Sequence, residues 1–533
     1  MIRMLLTGIL LAGGLQAQSK NILPLDWVDH SGILVINGYL FWNQDWTTGP
    51  LFFDGTYTAF PPRFGKAVTH RFQPRITGMT APPILLSDSS TVSTFFDYRR
   101  GDHFLDQIEI GADFQSTQRR VLLRGFKRSY AGDHGQYLYP GISSTPIQQS
   151  YLVEYASRQG ARRVEIGAGR FITRSGLPDS TINGRYNDDI LTAGVHLQQP
   201  WNQMNLDVSF SQFLQQRRVL LSFQPDSTRH SLNRTHFQGQ LNGPKRFGMG
   251  IESDLQTLVQ DSSLQTYSWT TIFGQKQVGA FSLQLGYSFL GSNQRNQPFF
   301  RFLFYEIRKR FVLNGSAVYE HRPRHPRERK TNSEARYDSW LRGNFTIEFQ
   351  GDRFKSAVEV GAGQNTAALS GWGKNYTSLM LTSQWEFSPG WFLEGEYMTQ
   401  LDTSLYLIGW DQIINLGLRG SVTLFTGSLN LKGRIWGQGY LGPHSNFTFD
   451  PFDQVPLSPP PGRIITTDQW VLNFETQAVI SSVIISYRIY NLLNSVSSVI
   501  NGISESNRWF LANPYFPPLG RMVYFEVSWK FQN

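Results

Sequence analysis

The sequence predicts an all-β chain: a transmembrane antiparallel β-barrel of about 22 strands, of the outer-membrane type. Three observations carry this. Apolar and polar residues alternate strictly in segment after segment of the 533 residues. The connections between those segments are by turns short and long. No run of about 18 apolar residues follows the leader, so no helix spans a bilayer, and a closed barrel is the remaining way to cross one.

The final segment shows the alternation best. In Arg521 to Phe531, Val523, Phe525, Val527, Trp529 and Phe531 share one face. Met522, Tyr524, Glu526, Ser528 and Lys530 share the other. Period 2 is the signature of a strand. One face suits lipid and the other water, with aromatics toward the end where an interfacial girdle belongs. A single such strand also fits a soluble sandwich; its recurrence along the chain does not.

From the start, residues 1–17 read as a signal peptide. Arg3 supplies the positive end, Leu5 to Leu11 a short apolar core, and Leu15-Gln16-Ala17 a cleavage site. Residues 18–91 are punctuated by proline and turn residues, and are expected to form an N-terminal periplasmic or lumenal segment. A strand-like run, Ile33 to Phe41, lies within it.

Residues 92–533 read as the barrel. The alternating segments are 92–99, 104–114, 119–128, 148–157, 163–173, 189–198, 204–223, 234–241, 246–255, 265–273 and 277–288. They continue with 298–308, 311–320, 335–348, 353–363, 377–387, 390–400, 412–424, 427–437, 466–479, 481–491 and 521–531. Short turns are expected at 115–118, 158–161, 242–245, 274–276, 350–353, 388–390 and 426–427. Long connections are expected at 129–147, 174–188, 321–334, 364–376, 438–465 and 492–520. Outer-membrane barrels keep short periplasmic turns and longer extracellular loops, whereas a sandwich has no reason to. An even strand number places both chain ends in the periplasm.

Composition agrees. Aromatics are 14% of residues, glycine is abundant and cysteine absent, so there is no disulfide framework and no thiolate metal site. The formal charge of +9 is dispersed rather than clustered, which excludes a nucleic-acid partner. No His-Glu-x-x-His, Gly-x-Ser-x-Gly or Walker-type loop occurs, and the chain is expected not to be an enzyme. No catalytic residue, cofactor or metal site is predicted. His321 and His325 are the one pair with weak chelating potential, and Asp102-His103 and Asp133-His134 are local acid–His pairs of a common kind.

The alternation sorts charges inward. Expected pore-lining residues are Arg301, Arg342, Glu359, Glu386, Glu394, Glu396, Arg419, Lys432, Arg434, Arg488 and Glu526. They would either filter solutes by charge or pair across strands and hydrate the wall. Arg322, Arg324, Arg327, Arg329 and Lys330 form a basic extracellular loop, suited to lipopolysaccharide phosphates or anionic solutes, or simply solvated.

The C-terminus carries a resemblance. Tyr490-Asn491-Leu492-Leu493-Asn494, a long loop, Pro518-Leu519-Gly520-Arg521-Met522 and a strand ending Trp529-Lys530-Phe531 resemble the last hairpin of TonB-dependent receptor barrels. The strand count matches that barrel size. The chain departs from that family in front of the barrel, where about 74 residues stand in place of a plug of well over roughly a hundred, with no TonB-box-like segment. Gly49-Pro50-Leu51-Phe52-Phe53-Asp54, with Thr94-Phe95-Phe96-Asp97-Tyr98-Arg99 opening the first strand, is similar to the short N-terminal segment and barrel entry of Bacteroidota-type outer-membrane porins.

These resemblances imply a cell outer-membrane channel for passive or weakly selective solute passage. The alternatives are a TonB-dependent-receptor-like uptake barrel without a full plug of its own, and a non-transporting surface barrel (adhesin or secretion accessory). The partners implied are outer-membrane lipid and lipopolysaccharide, small solutes, the barrel-assembly machinery, and a periplasmic or surface lipoprotein.

Overall fold

In the computed structural model, the described residues are 33–36, 39–42, 90–102, 105–129, 147–176, 184–244, 247–260, 263–291, 296–323, 337–365, 375–400, 412–441, 448–449, 456–457, 468–493 and 521–532. The barrel strands are β1 (Thr91–Gly101), β2 (Leu105–Gln115), β3 (Arg119–Ser129), β4 (Ile147–Gln159), β5 (Arg162–Gly176), β6 (Gly184–Trp201), β7 (Met204–Leu221) and β8 (Gln224–Asn242). Next come β9 (Phe247–Gln260), β10 (Ser263–Val278), β11 (Phe281–Leu290), β12 (Gln297–Arg308), β13 (Phe311–Pro323), β14 (Tyr337–Gln350) and β15 (Phe354–Asn365). The wall ends with β16 (Asn375–Ser388), β17 (Trp391–Gln400), β18 (Gln412–Leu424), β19 (Leu429–Leu441), β20 (Gln469–Ile480), β21 (Val483–Tyr490) and β22 (Met522–Gln532).

Each strand pairs antiparallel with its sequence neighbours, and β22 closes on β1 from Tyr524↔Gly101 to Gln532↔Ser93. A closed wall leaves no edge with unpaired backbone groups, which is what hydrocarbon demands. Each of the 22 segments expected from alternation overlaps one of the 22 wall strands.

The register fixes the faces, because directly paired residues point the same way. Val483↔Trp529, Ile485↔Val527 and Tyr487↔Phe525 form an outward row, while Ser486↔Glu526 and Arg488↔Tyr524 turn inward. The outer wall carries large exposed apolar side chains, among them Ile110, Leu285, Leu416 and Phe525. Such a surface belongs against acyl chains, and the protein is an outer-membrane barrel.

The rim that holds both barrel ends has the tight turns. Several need the left-handed backbone region: Gly160 at φ 60°, Gly279 at 56°, and the non-glycine Lys309 at 53°. Two expectations need correction here. The turn expected at 274–276 lies within β10, and the chain reverses at Gly279-Ala280 instead. Gln275 is paired to both neighbours, so the polar Gly-Gln-Lys sequence marks an inward position rather than a turn.

The second correction concerns the opposite rim. Residues 224–233, expected to be a loop, are strand, and β8 runs for 19 residues. The connections β7–β8 and β9–β10 shrink to residues 222–223 and 261–262. β6 and β7 have 18 residues each, against 10 in β17. At a rise of about 3.3 Å and a tilt of about 40°, the long strands reach about 20 Å farther. The upper parts of β6 and β8 lack apolar alternation, so they read as loop, whereas all of β7 falls within the expected segment 204–223.

Outside the wall, Ile33–Ile36 pairs with Tyr39–Trp42, and Thr448–Phe449 with Pro456–Leu457. The leader, Gly49 to Asp54, and most of the loops 438–465 and 492–520 lie outside the described residues.

Candidate functional site: the charged inner wall

The inward positions of neighbouring strands bring opposite charges side by side. Glu394 of β17 accepts from Arg419 of β18 (2.9 Å) and Arg434 of β19 (3.1 Å). Arg434 is the register partner of Glu475 on β20. Glu475 accepts from Arg488 of β21 at 2.8 Å, and Arg488 also reaches Glu526 of β22 at 3.0 Å. Across the closure, Arg99 of β1 donates to Glu526 at 2.8 Å. Farther on, Arg120 binds Asp113 at 2.6 Å, while Arg124 and Glu109 stand at 4.0 Å. The ladder therefore passes through the seam where β22 closes on β1.

Aromatic rings hold several of these guanidinium groups against the wall. Arg419 lies 4.3 Å from the ring centre of Phe392, Arg434 4.8 Å from Trp436, Arg301 5.3 Å from Phe299, and Arg124 5.3 Å from Phe95. Such contacts are favoured between a planar cation and the negative face of a ring. Sequence reasoning missed this stacking. A legible signal existed in Arg434-Ile435-Trp436 and Phe299-Phe300-Arg301, because residues two apart on a strand share a face.

The other predicted residues divide. Arg301 is buried and donates to Gln284 Oε1 at 3.1 Å. Glu359 is buried and has partners. Glu396 is half-buried, paired in register with Thr382 and Asn415. Lys432 is exposed, opposite Ser421 and Gln477. Glu386 caps a turn by accepting the Gly390 N–H at 3.0 Å. Arg342 lies in β14 opposite Val318 and Gly363. Arg322, expected in the basic loop, lies in β13 opposite Asp338, and Arg324, Arg327, Arg329 and Lys330 lie outside the described residues.

A second polar group occupies the far side. His196 bridges Asp207 (Nε2 to Oδ1, 2.8 Å) and Glu165 (Nδ1 to Oε2, 3.5 Å), and Arg163 adds 2.7 Å to Glu165. His236 Nδ1 lies 2.9 Å from Asp254 Oδ2. With Glu252, these two offer three ligand-type atoms within 4.8 Å of one another, the arrangement among the described residues that could hold a cation. The weakly chelating pair behaves otherwise. His321 is buried against Ser339 (Nδ1 to Oγ, 3.0 Å), and His325 lies outside the described residues. Asp102 accepts the Val523 N–H at 2.9 Å, so its carboxylate caps the start of β22.

Many inward side chains are withdrawn from water. Glu165, Arg217 and Asp254 are each 2% exposed, and Gln438 and Asn473 are 0% exposed. Asn473 donates to Gln438 at 2.9 Å and accepts the Asn491 N–H at 3.0 Å. Asn491 takes a φ of 53°, a left-handed conformation that asparagine tolerates well. The Asn-Leu-Leu-Asn turn is thus anchored at its first asparagine.

The wall and its closure define an outer-membrane barrel of the size used by TonB-dependent receptors. Comparison with solved structures agrees at the level of fold. The ferric enterobactin receptor PfeA of Pseudomonas aeruginosa, in a variant form, superposes with a TM-score of 0.60 at 10% identity, covering 84% of this chain and 81% of the receptor. The FrpB iron transporter of Neisseria meningitidis gives 0.59 at 11% identity, over 83% and 82% of the two chains. The siderophore receptor PirA of Acinetobacter baumannii gives 0.59 at 8% identity, over 84% and 81%. No family model matches the chain, and no curated protein matches it.

Proposed function

We propose that the protein is a receptor-like uptake barrel, carrying a small polar solute across the outer membrane instead of serving as an open diffusion pore. The observation that carries this reading is the state of the inner wall. A barrel of 22 strands is too wide for its own side chains to fill, and barrels of that size are occupied transporters rather than free channels. The inward Glu165, Arg217, Asp254, Gln438 and Asn473 are buried while the inward Arg419, Lys432 and Arg434 keep exposed surface, the pattern of a partly occupied lumen rather than of an evenly wetted pore.

The likeness to receptors and a transporter for iron and siderophores supports the same reading. Ring-stacked arginines interleaved with carboxylates suit an oxygen-rich anionic solute better than an apolar one. Residues 18–91 are the part of this chain that precedes the barrel, and they are the segment to delete.

Single-channel conductance in a planar bilayer tests the proposal. The protein beginning at Gln18 is expected to be silent, and a chain beginning near residue 90 to conduct. A large, steady conductance from the longer protein would overturn the reading in favour of a diffusion porin. Silence in both, with folded barrels, would remove transport from consideration.

A further inference from the structure

The outer wall of β5–β8 departs from the rest of the lipid-facing surface. Arg174, Asn187, Arg218 and Arg229 are register partners in sequence, so they form one row across four adjacent strands. This row has the parity of Leu191 and Leu214, exposed apolar residues of the outer face. Arg185 stands two residues above Asn187 and donates to its Oδ1 at 3.2 Å. The positive charges of Arg174 and Arg218 act on Arg185.

Arg174, Arg218 and Arg229 are exposed, and among the described side chains no carboxylate pairs with them or with Arg185, Asp189 being held by Arg170. Like charges placed directly opposite destabilise a strand pair, and Arg218↔Arg229 is such a pair. Among the described side chains, the row therefore holds three guanidinium groups without a carboxylate partner within about 15 Å, three strand spacings of about 4.8 Å. An anion resting on this row relieves that repulsion.

Height in the wall says which anion. Arg170, four residues below Arg174, makes a two-point pair with Asp189 at 2.6 and 3.0 Å. One row lower, two residues down the strands, Gln212 bonds to Asn233 and accepts from Thr235 at 2.8 Å. Arg170 lies about 20 Å above the start of β5 at Arg162, counting eight tilted residues, which is near the upper margin of an apolar band about 25 Å tall. The arginine row is about 10 Å higher, at headgroup level.

Below the arginine row, the lipid-facing wall has a groove of about 860 Å³ that crosses β2 to β7 and has Arg170 and Gln212 in its lining. Its floor is Ala112, Gly125, Ala168 and Ala193, and its shoulders include Tyr151 and Leu191. A groove sunk in a membrane wall is filled by hydrocarbon, and this one reaches Arg170, four residues below Arg174.

We propose that β5–β8 form a binding site for a phosphate-bearing lipid of the outer leaflet, with its phosphate on Arg174, Arg218 and Arg229 and an acyl chain in the groove beneath. Guanidinium forks match phosphate oxygens in pairs. The upward extension of β6–β8 then has a purpose: it holds the row rigidly at headgroup height, where a loop would not. The site lies on the outside of the wall and is independent of what occupies the lumen.

The test uses the full mature protein in nanodiscs of a zwitterionic phospholipid doped with a diphosphorylated glycolipid or its dephosphorylated form. Native mass spectrometry counts the lipid retained on release. The protein is expected to retain the phosphorylated form selectively. A triple variant, R174Q with R218Q and R229Q, should weaken retention by about tenfold or more, the equivalent of about 1.4 kcal/mol. Ala193→Phe, which fills the groove and leaves the arginine row unchanged, should weaken it as well, and Arg308→Gln, at the opposite rim, should not. A heat-dependent shift in gel mobility confirms that each variant is a closed barrel. Equal retention of the dephosphorylated lipid, or retention unchanged in both the triple variant and Ala193→Phe, overturns the proposal. Complete displacement by millimolar inorganic phosphate overturns it in favour of a free-anion site.

Discussion

Replacing Arg488 by methionine tests whether the inner ladder is structural. Arg488 spans two strand interfaces, donating to Glu475 at 2.8 Å and Glu526 at 3.0 Å, and all three side chains are about one-fifth exposed. A charge-assisted hydrogen bond contributes about 1.5–3 kcal/mol net when protected from water. Neither carboxylate is stranded by the change: Glu526 keeps Arg99 at 2.8 Å, and Glu475 keeps Gln477 at 2.8 Å. The loss should therefore fall well short of the roughly 3–5 kcal/mol seen when a buried charge is left alone, at about 2 kcal/mol. The assay is urea unfolding of the barrel in lipid vesicles, followed by tryptophan fluorescence. A double-mutant cycle with Glu526→Gln isolates the pair, with an expected coupling of about 1 kcal/mol. If the two changes add to within about 0.3 kcal/mol, the ladder is a row of independently solvated charges and the reasoning fails.

Two further outcomes follow from the wall's geometry. Phe345→Arg, five residues above the end of β14, puts a cation on the lipid face near mid-depth and should cost about 2–4 kcal/mol or more, whereas Asn344→Arg, one residue away and inward at an exposed position, should cost under about 1 kcal/mol; equal costs in the same unfolding assay would mean the faces are misassigned. At the tight-turn rim, Lys309→Gly should be neutral or stabilising by up to about 1 kcal/mol because φ is 53° there, and Gly279→Val, at 56°, should destabilise by about 1–2 kcal/mol; the reverse order would refute the turn assignment.

The wall was legible because a barrel strand has one long-range instruction, the side on which its apolar residues fall. Val523, Phe525, Val527, Trp529 and Phe531 state it without ambiguity, and the closure on β1 follows from an even count. Legibility ended where that instruction ends. Above the membrane, β8 carries Arg229, Ser231 and Asn233 outward, so residues 224–233 show no apolar face and are indistinguishable from a loop. The turn at Gly279 was hidden for the opposite reason: Gly274-Gln275-Lys276 has turn composition, but the register of both neighbours overrides it. Individual charges could be assigned to a face, but not to a partner. Glu386 and Glu394 are eight residues apart and both inward, yet one caps a turn while the other binds two arginines from two strands. Which of these happens depends on tilt and rotamer, and neither is written in a period of two.

The lateral pairing also bears on how such a wall selects. From Glu394 through Arg434, Glu475, Arg488 and Glu526 to Arg99, the sign of the charge reverses at every step around the arc. Neighbours of opposite sign cancel each other's field within a few ångströms, and salt screens what remains over about 8 Å at physiological ionic strength. A wall built this way presents little net potential to an ion passing along the axis, so it is a poor charge filter for free diffusion. At contact distance it is different: each site offers a carboxylate, a guanidinium group and often a ring within one side chain's reach. Selection by contact requires the solute to touch the wall, and touching is enforced only where the lumen is not simply open. The alternating ladder therefore fits an uptake barrel that grips its solute better than a pore that sorts ions by sign.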